Sequence, residues 1–167
     1  MDSQNPKKIR PLLEPEALDR IDRAILVALQ QNARLTNKEL AARVGLAESS
    51  CHERVKRLVA GGVVRGFHAE VDPRALGVGL QALVAVRLAR QTNAAVVSFR
   101  QAMLALNEAI AVFHVAGAND FLVQVAVRDS DELRDLILRA ITARPEVVHV
   151  ETSLIYEHAR NAGFGAP

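Results

Sequence analysis

The stretch "LAESSCHERVKRL", residues 46–58, has the spacing of an amphipathic helix. Cys51, Val55 and Leu58 follow one another at intervals of four and three residues, so they lie on one side of the predicted helix. The opposite side is polar and carries Ser49, Ser50, Glu53, Lys56 and Arg57, with His52 and Arg54 at its flanks. The pattern fits two kinds of helix: one whose polar side is merely solvated, and one whose polar side meets a specific polar surface.

Two further helices are predicted before this stretch. The first has an apolar stripe at helical spacing, made of Leu18, Ile21, Ile25, Leu26 and Leu29. The second is "NKELAARV", residues 37–44, for which Thr36 supplies an N-cap and Glu39 completes a capping box. Gly45 ends that helix, and only a short turn separates it from the opening stretch. Two short helices joined in this way predict a helix-turn-helix.

The segment after the opening stretch, "GGVVRGFHAEVDP", predicts a β-hairpin. Gly61–Gly62 end the third helix, and residues 63–64 and 67–71 are predicted as two short strands that turn at Arg65–Gly66. Such a hairpin is the wing of a winged helix-turn-helix.

The remaining sequence predicts the order β-α-β-β-α-β. The predicted elements are strand 80–88, helix 93–106, strands 109–117 and 120–127, a helix at 130–142 with Ser130 at its N-cap, and strand 147–156. The predicted fold class is therefore α+β: a winged helix-turn-helix followed by a ferredoxin-like domain with two helices on one face of an antiparallel sheet. The predicted boundaries are a flexible tail at 1–17, the first domain at 18–72, a connector at 73–79, the second domain at 80–159 and a tail at 160–167.

The composition limits the class of protein. With 167 residues, of which 50% are hydrophobic and 24% charged, the chain fits one or two folded domains and not a disordered chain. Its longest apolar run falls short of the roughly 20 residues of a membrane span, and no signal peptide is apparent. The single cysteine, Cys51, excludes an internal disulfide framework, and its place on the apolar side predicts a buried structural thiol. These features predict a protein of the reducing cytoplasm.

No cofactor, metal site or catalytic site is predicted. The five histidines are dispersed, without the spacing of metal ligands. The sequence also lacks a nucleophile–base arrangement and a phosphate-binding glycine loop. An enzyme is therefore not expected.

The net charge of +2 is unevenly distributed. Residues 34–66 contain 7 basic and 3 acidic residues, a net +4, whereas residues 73–167 contain 9 of each. The positive excess lies around the opening stretch, which favours an anionic partner for that part of the chain.

The order and spacing of these motifs resemble the Lrp/AsnC family of bacterial and archaeal transcription regulators, over about residues 18–159. The resemblance lies in "LDRIDRAILVALQQNARLTNKELAARVGL", "CHERVKRLVAGGVVRGFHAEVDPRALG" and "VAGANDFLVQV". It implies that the first domain binds double-stranded DNA. It also implies that the second domain dimerises and senses an amino acid or related small molecule, and that dimers assemble into tetramers or octamers.

On this resemblance, the residues of the first domain divide by the part of DNA that they contact. The expected contacts are base edges for Ser49, Ser50 and Glu53, groove walls for His52 and Arg54, phosphates for Lys56 and Arg57, and the DNA backbone for Thr36 and Lys38. Arg65 is a further expected DNA-binding residue. Ala47 departs from the family, which commonly has serine or threonine there. Because alanine cannot cap a helix, Ser49 or a phosphate oxygen is expected to take over the cap.

The resemblance places an effector site at the turn Gly117-Ala118-Asn119-Asp120, which in the family lies at an interface between dimers. Backbone amides of the turn are expected to hold a carboxylate, and Asp120 to accept hydrogen bonds from an ammonium group. Thr152 is a further candidate for the same pocket. Ala118 departs from the commoner acidic residue, and the alternative is a plain hairpin turn.

The predicted strands carry more apolar surface than two short helices would cover. Burial of the open sheet face against a second copy would remove that surface from water, so a homodimer is expected. The leading hypothesis is a sequence-specific transcription regulator whose DNA binding responds to an amino-acid effector. The alternatives are an effector-independent architectural DNA-binding regulator and a small-molecule-binding assembly protein without DNA specificity.

Overall fold

The structure, a computed structural model, describes residues 18–159 and 161. The tails expected at 1–17 and 160–167 lie outside these described residues, apart from Asn161. The described chain falls into two compact units, one ending at Glu70 and the other covering Val71–Ala159. Within the described residues, no helix is long and apolar enough to cross a membrane.

The described part of the first unit holds three helices: α1 (Arg20–Gln31), α2 (Asn37–Val44) and α3 (Glu48–Ala60). The predicted capping box of α2 is confirmed: the Glu39 N–H donates to the Thr36 hydroxyl, and the Glu39 carboxylate accepts from the Thr36 N–H. Gly45 ends α2 with φ at 71°, a left-handed conformation that glycine adopts without steric cost. These local signals explain why three short helices form with tight turns between them.

The first unit is held together by one apolar cluster drawn from all three helices. Its fully or almost fully buried members are Ile25, Ala28, Leu40, Ala41, Cys51 and Leu58. Cys51 is 0% exposed, so the prediction of a buried thiol is confirmed. Burial also raises the pKa of the Cys51 thiol, because a thiolate is disfavoured away from water.

The predicted hairpin after α3 is wrong. Neither residues 63–64 nor residues 67–71 form a strand. The N–H groups of Val63 and Val64 both donate to the carbonyl of Leu58, so they close the end of α3 and take no cross-strand partner. A lone two-stranded hairpin is marginally stable, and the sequence reading gave too much weight to two valines beside glycines.

The second unit begins with a short 3-10 helix, Pro73–Leu76, inside the predicted connector. The elements that follow are β1 (Leu80–Leu88), α4 (Asn93–Leu104), β2 (Ala109–His114), β3 (Phe121–Val127), α5 (Ser130–Leu136) with a π-helical continuation (Ile137–Thr142), and β4 (Val147–Leu154). The predicted β-α-β-β-α-β order is confirmed. Every strand pair is antiparallel, and the spatial order of the sheet is β2-β3-β1-β4, as in a ferredoxin-like fold.

The core of the second unit lies on one face of this sheet. Alternate residues of β1 and β3 point into it, and the register pairs Val84 with Val123 and Val86 with Phe121. Phe99 and Met103 of α4 are buried against the same cluster. The opposite sheet face is covered by neither helix.

Three predicted details of the second unit need correction. The N-cap of α5 is Asp129, whose carboxylate accepts from the N–H of Glu132 at 2.8 Å, and Ser130 is already inside the helix. The predicted helix 130–142 changes to a π-helix after Leu136. β2 ends at His114 and β3 begins at Phe121, so six residues connect the two strands where a tighter turn was expected.

Candidate nucleic-acid interface and effector turn

The solvent-facing side of α3 is the first candidate site. Ser49, Ser50, His52, Glu53 and Lys56 are all exposed there, as the helical spacing predicted. The Lys56 Nζ lies 3.4 Å from the Glu53 Oε1, and both side chains are largely open to solvent, so this ion pair is weak. The structure thus brings these five polar residues together on one accessible surface.

The amino end of α3 lacks a side-chain cap. Ala47 is the N-cap residue and makes no capping hydrogen bond, and Ser49, one of the two expected replacements, does not supply one. The Asn37 side-chain amide instead donates to the Glu48 carbonyl at 2.7 Å, which ties the start of α2 to the start of α3. The first-turn amides of α3 are therefore open to water or to an acceptor from outside the domain.

Arg54 and Arg57 have partners inside the domain. The Arg54 Nη1 lies 2.6 Å from the Asp19 Oδ2 and 3.0 Å from the Asp22 Oδ1, and the Arg57 Nη2 donates to the Asp22 Oδ2. The Asp22 side chain is 0% exposed. Hydrogen bonds to Asp19 and then to Asp22 raise the pKa of Arg54. The guanidinium groups thus bridge α3 to α1, and the groove-wall and phosphate contacts of these arginines stay a prediction.

The two aspartates were missed by the sequence reading, although α1 held a signal for one of them. Asp22 lies four residues after Leu18 and three before Ile25, so helical spacing places it on the apolar stripe. A carboxylate in that position requires buried partners. Asp19 caps α1, and the N–H of Asp22 followed by the Arg54 guanidinium lowers the pKa of the Asp19 carboxyl.

Thr36 and Lys38 were predicted to hold the DNA backbone, and Arg65 to bind DNA. The Thr36 hydroxyl lies 2.8 Å from a Glu39 oxygen, so it is already engaged in the capping box. Lys38 is exposed near the start of α2. Arg65 is exposed in the irregular segment after α3. Of these three residues, the two cations are accessible to an anionic partner.

The second candidate site is the connection between β2 and β3. The Val115 N–H donates to the Asp120 carbonyl at 2.9 Å and closes the loop. Gly117 has φ at 148° and, like Ala118, is exposed. The backbone N–H groups of Gly117, Ala118 and Asn119 make no hydrogen bond to any described residue. These amides are free to receive an anionic ligand.

Asp120 is turned into the domain. It is 3% exposed, and its Oδ2 accepts from the Leu88 N–H at 2.7 Å while its Oδ1 accepts from the Gln91 side-chain amide. Its own N–H donates to the Val86 carbonyl at 2.9 Å. Asp120 therefore fixes the start of β3 to the end of β1, a structural role that the sequence reading did not include.

Thr152 is not brought to this turn. It is exposed on β4 and pairs with Val84, and β1 lies between β4 and β3 in the sheet. Within one subunit, the turn and Thr152 belong to different parts of the second unit. Among the described residues, no group of three histidine, cysteine or acidic side chains is placed to hold a metal ion.

A three-helix unit with a polar, accessible α3 and a separate ferredoxin-like unit define a helix-turn-helix regulator with a ligand-binding domain. Comparison with known proteins agrees: residues 18–65 match the winged helix-turn-helix DNA-binding family, and residues 81–162 match the Lrp/AsnC ligand binding domain. The chain belongs to the Lrp/AsnC family of transcriptional regulators.

Individual relatives support this membership. The chain is 42% identical over 150 residues to the HTH-type transcriptional regulator AldR of Mycobacterium tuberculosis, covering 90% of this chain and 84% of the relative. The crystal structure of that AldR superposes with a TM-score of 0.73 at 39% identity, over 87% of this chain and 99% of the other. A transcriptional regulator of Neisseria meningitidis in complex with L-Met gives a TM-score of 0.80 at 31% identity, over 90% and 96% of the two chains.

Proposed function

We propose that this regulator binds specific sequences in double-stranded DNA through α3, and that an amino acid or related small molecule modulates this binding. The observation that carries the proposal is the set of five exposed polar residues on α3, on the side opposite its buried Cys51 and Leu58. Because DNA is the proposed target, the proposal also places the regulator in the cytoplasm.

Ser49, Ser50 and Glu53 are the proposed base readers, because they occupy the first two turns of α3 and are exposed. Hydroxyl groups match several base edges, and a carboxylate accepts from the amino group of cytosine. The proposed phosphate contacts come from Lys56, Lys38 and Arg65 (all exposed), and His52 flanks the same surface. The Thr36 hydroxyl is held by Glu39, so the proposed contribution of Thr36 to DNA binding is its position at the start of α2 and not a contact from this hydroxyl.

Selection from a library of random DNA duplexes tests the proposed base readers. Wild type should enrich one motif, and Glu53→Gln should change the preferred base at one position, with about 1–3 kcal/mol of discrimination at stake. Lys56→Gln is the matched control on the same helix. It should weaken binding to all sequences without a change of motif. The negative slope of log affinity against log salt should become shallower by about 0.9. The same motif from wild type and Glu53→Gln would remove Glu53 from the readers.

The proposed effector site is the turn at Gly117–Asn119, with Asp120 as the residue that holds it in place. The free amides of the turn suit the carboxylate of an amino acid. L-Met in the complex of the Neisseria regulator supports an amino acid as the class of effector. Thr152 would join this site only from a neighbouring subunit, because β1 separates it from the turn in its own subunit.

Calorimetric titration with each of the twenty amino acids tests the effector. Gly117→Val should abolish binding of the amino acid that wild type takes up. A Cβ at Gly117 meets no atom within 4 Å, so valine would extend into the space beside the turn, and φ at 148° strains any residue other than glycine, so the turn amides would also shift. Ala116→Val, on the exposed neighbour, is the control and should retain binding. Absence of heat for all twenty would favour the effector-independent alternative.

We also propose a homodimer through the sheet face that the helices leave open. The register aligns Phe113 of β2, Leu122 of β3 and Ala85 of β1 in one row on that face. Phe113 is 48% exposed, and burial of such a row against a second copy removes apolar area from water.

Sedimentation velocity tests the dimer. Leu122→Glu should shift the protein toward monomer, because a charge would enter the proposed interface. Leu138→Glu is the control. Leu138 is 55% exposed in the π-helical continuation of α5, on the helix side of the sheet, and its substitution should leave the assembly intact. Unchanged assembly of Leu122→Glu would place the interface elsewhere.

A further inference from the structure

The buried carboxylate of Asp22 meets both arginines of α3. Its Oδ1 lies 3.0 Å from the Arg54 Nη1, its Oδ2 accepts from the Arg57 Nη2, and none of its side chain is exposed to solvent. Arg54 also contacts Asp19 at 2.6 Å. The N-cap residue Asp19 and the α1 residue Asp22 therefore neutralise two arginines of α3.

This pairing offsets the charge of two arginines on α3. Residues 34–66 carry a formal net charge of +4, and Arg54 and Arg57 supply two of the positive charges. Asp19 and Asp22 lie outside that range in sequence but in contact with these two arginines. The two aspartates therefore offset the charges of Arg54 and Arg57 locally, while Arg20 and Arg23 keep the formal net charge of residues 19–66 at +4.

Arg57 is the arginine that a change at Asp22 would release. It follows Glu53 by four residues, so it lies on the same side of α3 as the proposed base readers. Its side chain is 51% exposed, against 28% for Arg54, and among the described residues its only ion pair is with Asp22. Without the Asp22 charge, Arg57 would be a free cation beside the DNA surface.

We infer that Asp22 is a positioning residue for DNA recognition: its buried carboxylate holds Arg57 away from phosphates and thereby limits the affinity of the regulator for random DNA. The inference rests on the proposed function of α3. Phosphate contacts carry no sequence information, so an additional one strengthens binding to every sequence alike. Retention of Arg57 by Asp22 therefore raises the ratio of specific to non-specific affinity.

Salt titrations of binding to a random-sequence duplex test the inference. Asp22→Asn keeps the shape of the side chain but removes its charge. It should steepen the slope of log affinity against log salt by about 0.9, equivalent to about a threefold larger loss of affinity between about 50 and about 200 mM salt. Glu70→Gln is the control: it changes the net charge equally, but Glu70 is exposed and contacts neither arginine. It should leave the slope unchanged.

Two further variants separate a positioning role from loss of the fold. In the Asp22→Asn background, Arg57→Gln should restore the wild-type slope. In the wild-type background, Arg57→Gln should leave the slope unchanged, and this variant keeps the Asp22–Arg54 pair. A slope that is shallower by about 0.9 in that single variant would place Arg57 on a phosphate and overturn the inference, whether or not Asp22→Asn folds. An unchanged slope in folded Asp22→Asn would overturn it as well. Failure of wild type to bind any DNA would instead overturn the proposed function.

Discussion

The carboxylate of Asp120 accepts a hydrogen bond from the backbone N–H of Leu88, 2.7 Å away and 32 residues earlier in the chain. β1 ends at Leu88, and β3 begins one residue after Asp120. One buried side chain therefore joins the ends of two central strands, and its second oxygen accepts from Gln91. Asp120 fixes the carboxyl end of the loop at Gly117–Asn119, so these hydrogen bonds also position that loop.

Asp120→Ala should destabilise the second unit by about 1–3 kcal/mol, because the buried N–H of Leu88 would lose its acceptor. Urea denaturation of wild type and variant measures this difference. Asn119→Ala is the control: Asn119 is partly exposed and makes no hydrogen bond to a described residue, so its loss should change the midpoint little. Equal midpoints for wild type and Asp120→Ala would mean that the carboxylate is free to serve a ligand directly.

Gly79 leads to a second prediction about the same unit. A Cβ at this position would lie 2.3 Å from the carbonyl oxygen of Arg128, and the Gly79 N–H donates to Val127 at 3.1 Å. Gly79→Ala must therefore move backbone and should cost about 1–3 kcal/mol of unfolding free energy.

Gly77→Asn is the matched control for Gly79→Ala. Gly77 has φ at 78° with open space around it, and asparagine tolerates this left-handed conformation better than other residues do. Thermal unfolding should rank Gly79→Ala as the more damaging change, although asparagine is the larger side chain. The opposite ranking would show that strand β1 and Arg128 can separate at little cost.

Local signals explain which parts of the fold the sequence predicts. Thr36 and Glu39 are three residues apart, so the capping box of α2 is readable from spacing alone. Short apolar runs likewise predict β1 and β3, because both are flanked by clear turn residues. The two-stranded hairpin predicted after α3 is wrong because a hairpin requires cross-strand partners, and the N–H groups of Val63 and Val64 bond to Leu58 instead.

The candidate sites depend on contacts that spacing does not reveal. The polar side of α3 is predicted by helical periodicity, whereas the pairing of Arg54 with Asp22 joins residues 32 positions apart. The same separation joins Asp120 to Leu88. Single-sequence reasoning places each of these residues on an element, but it does not pair distant elements. It therefore did not predict that these charged side chains have partners within their own domain.

The capping box of α2 predicts a pH dependence of stability. Hydrogen bonds donated by Thr36, first from its backbone and then from its hydroxyl, hold the pKa of Glu39 below its ordinary value of 4.5. A carboxyl whose folded pKa is depressed stabilises the fold above its unfolded pKa, and this contribution is lost as pH falls through the folded pKa. The stabilisation by the Glu39 charge should therefore be complete near neutral pH and disappear in acid.

Glu39→Gln tests this dependence, because glutamine keeps an acceptor for Thr36 but carries no charge. Unfolding measured from pH 7 down to below about 4 should show wild type more stable at neutral pH, with the difference shrinking in acid. Glu70→Gln is the control, since Glu70 is exposed and has no hydrogen-bonded partner among the described residues. A wild-type advantage that persists at the lowest pH would contradict a role of the Glu39 charge.

The uncapped start of α3 predicts that stability can be gained. Ala47 has the extended backbone of an N-cap residue, with φ at −68° and ψ at 147°, but offers no acceptor to the first-turn amides. Ala47→Ser supplies that acceptor without a change of backbone conformation. It should raise the unfolding free energy of the first unit by about 1 kcal/mol, within a range of about 0.5–2. Ala42→Ser is the control, because Ala42 is exposed in the middle of α2, where serine is a slightly poorer helix former than alanine. Thermal unfolding should therefore give opposite signs for the two serines. No gain from Ala47→Ser would mean that the Asn37–Glu48 hydrogen bond holds the start of α3 in a geometry that a serine side chain cannot cap.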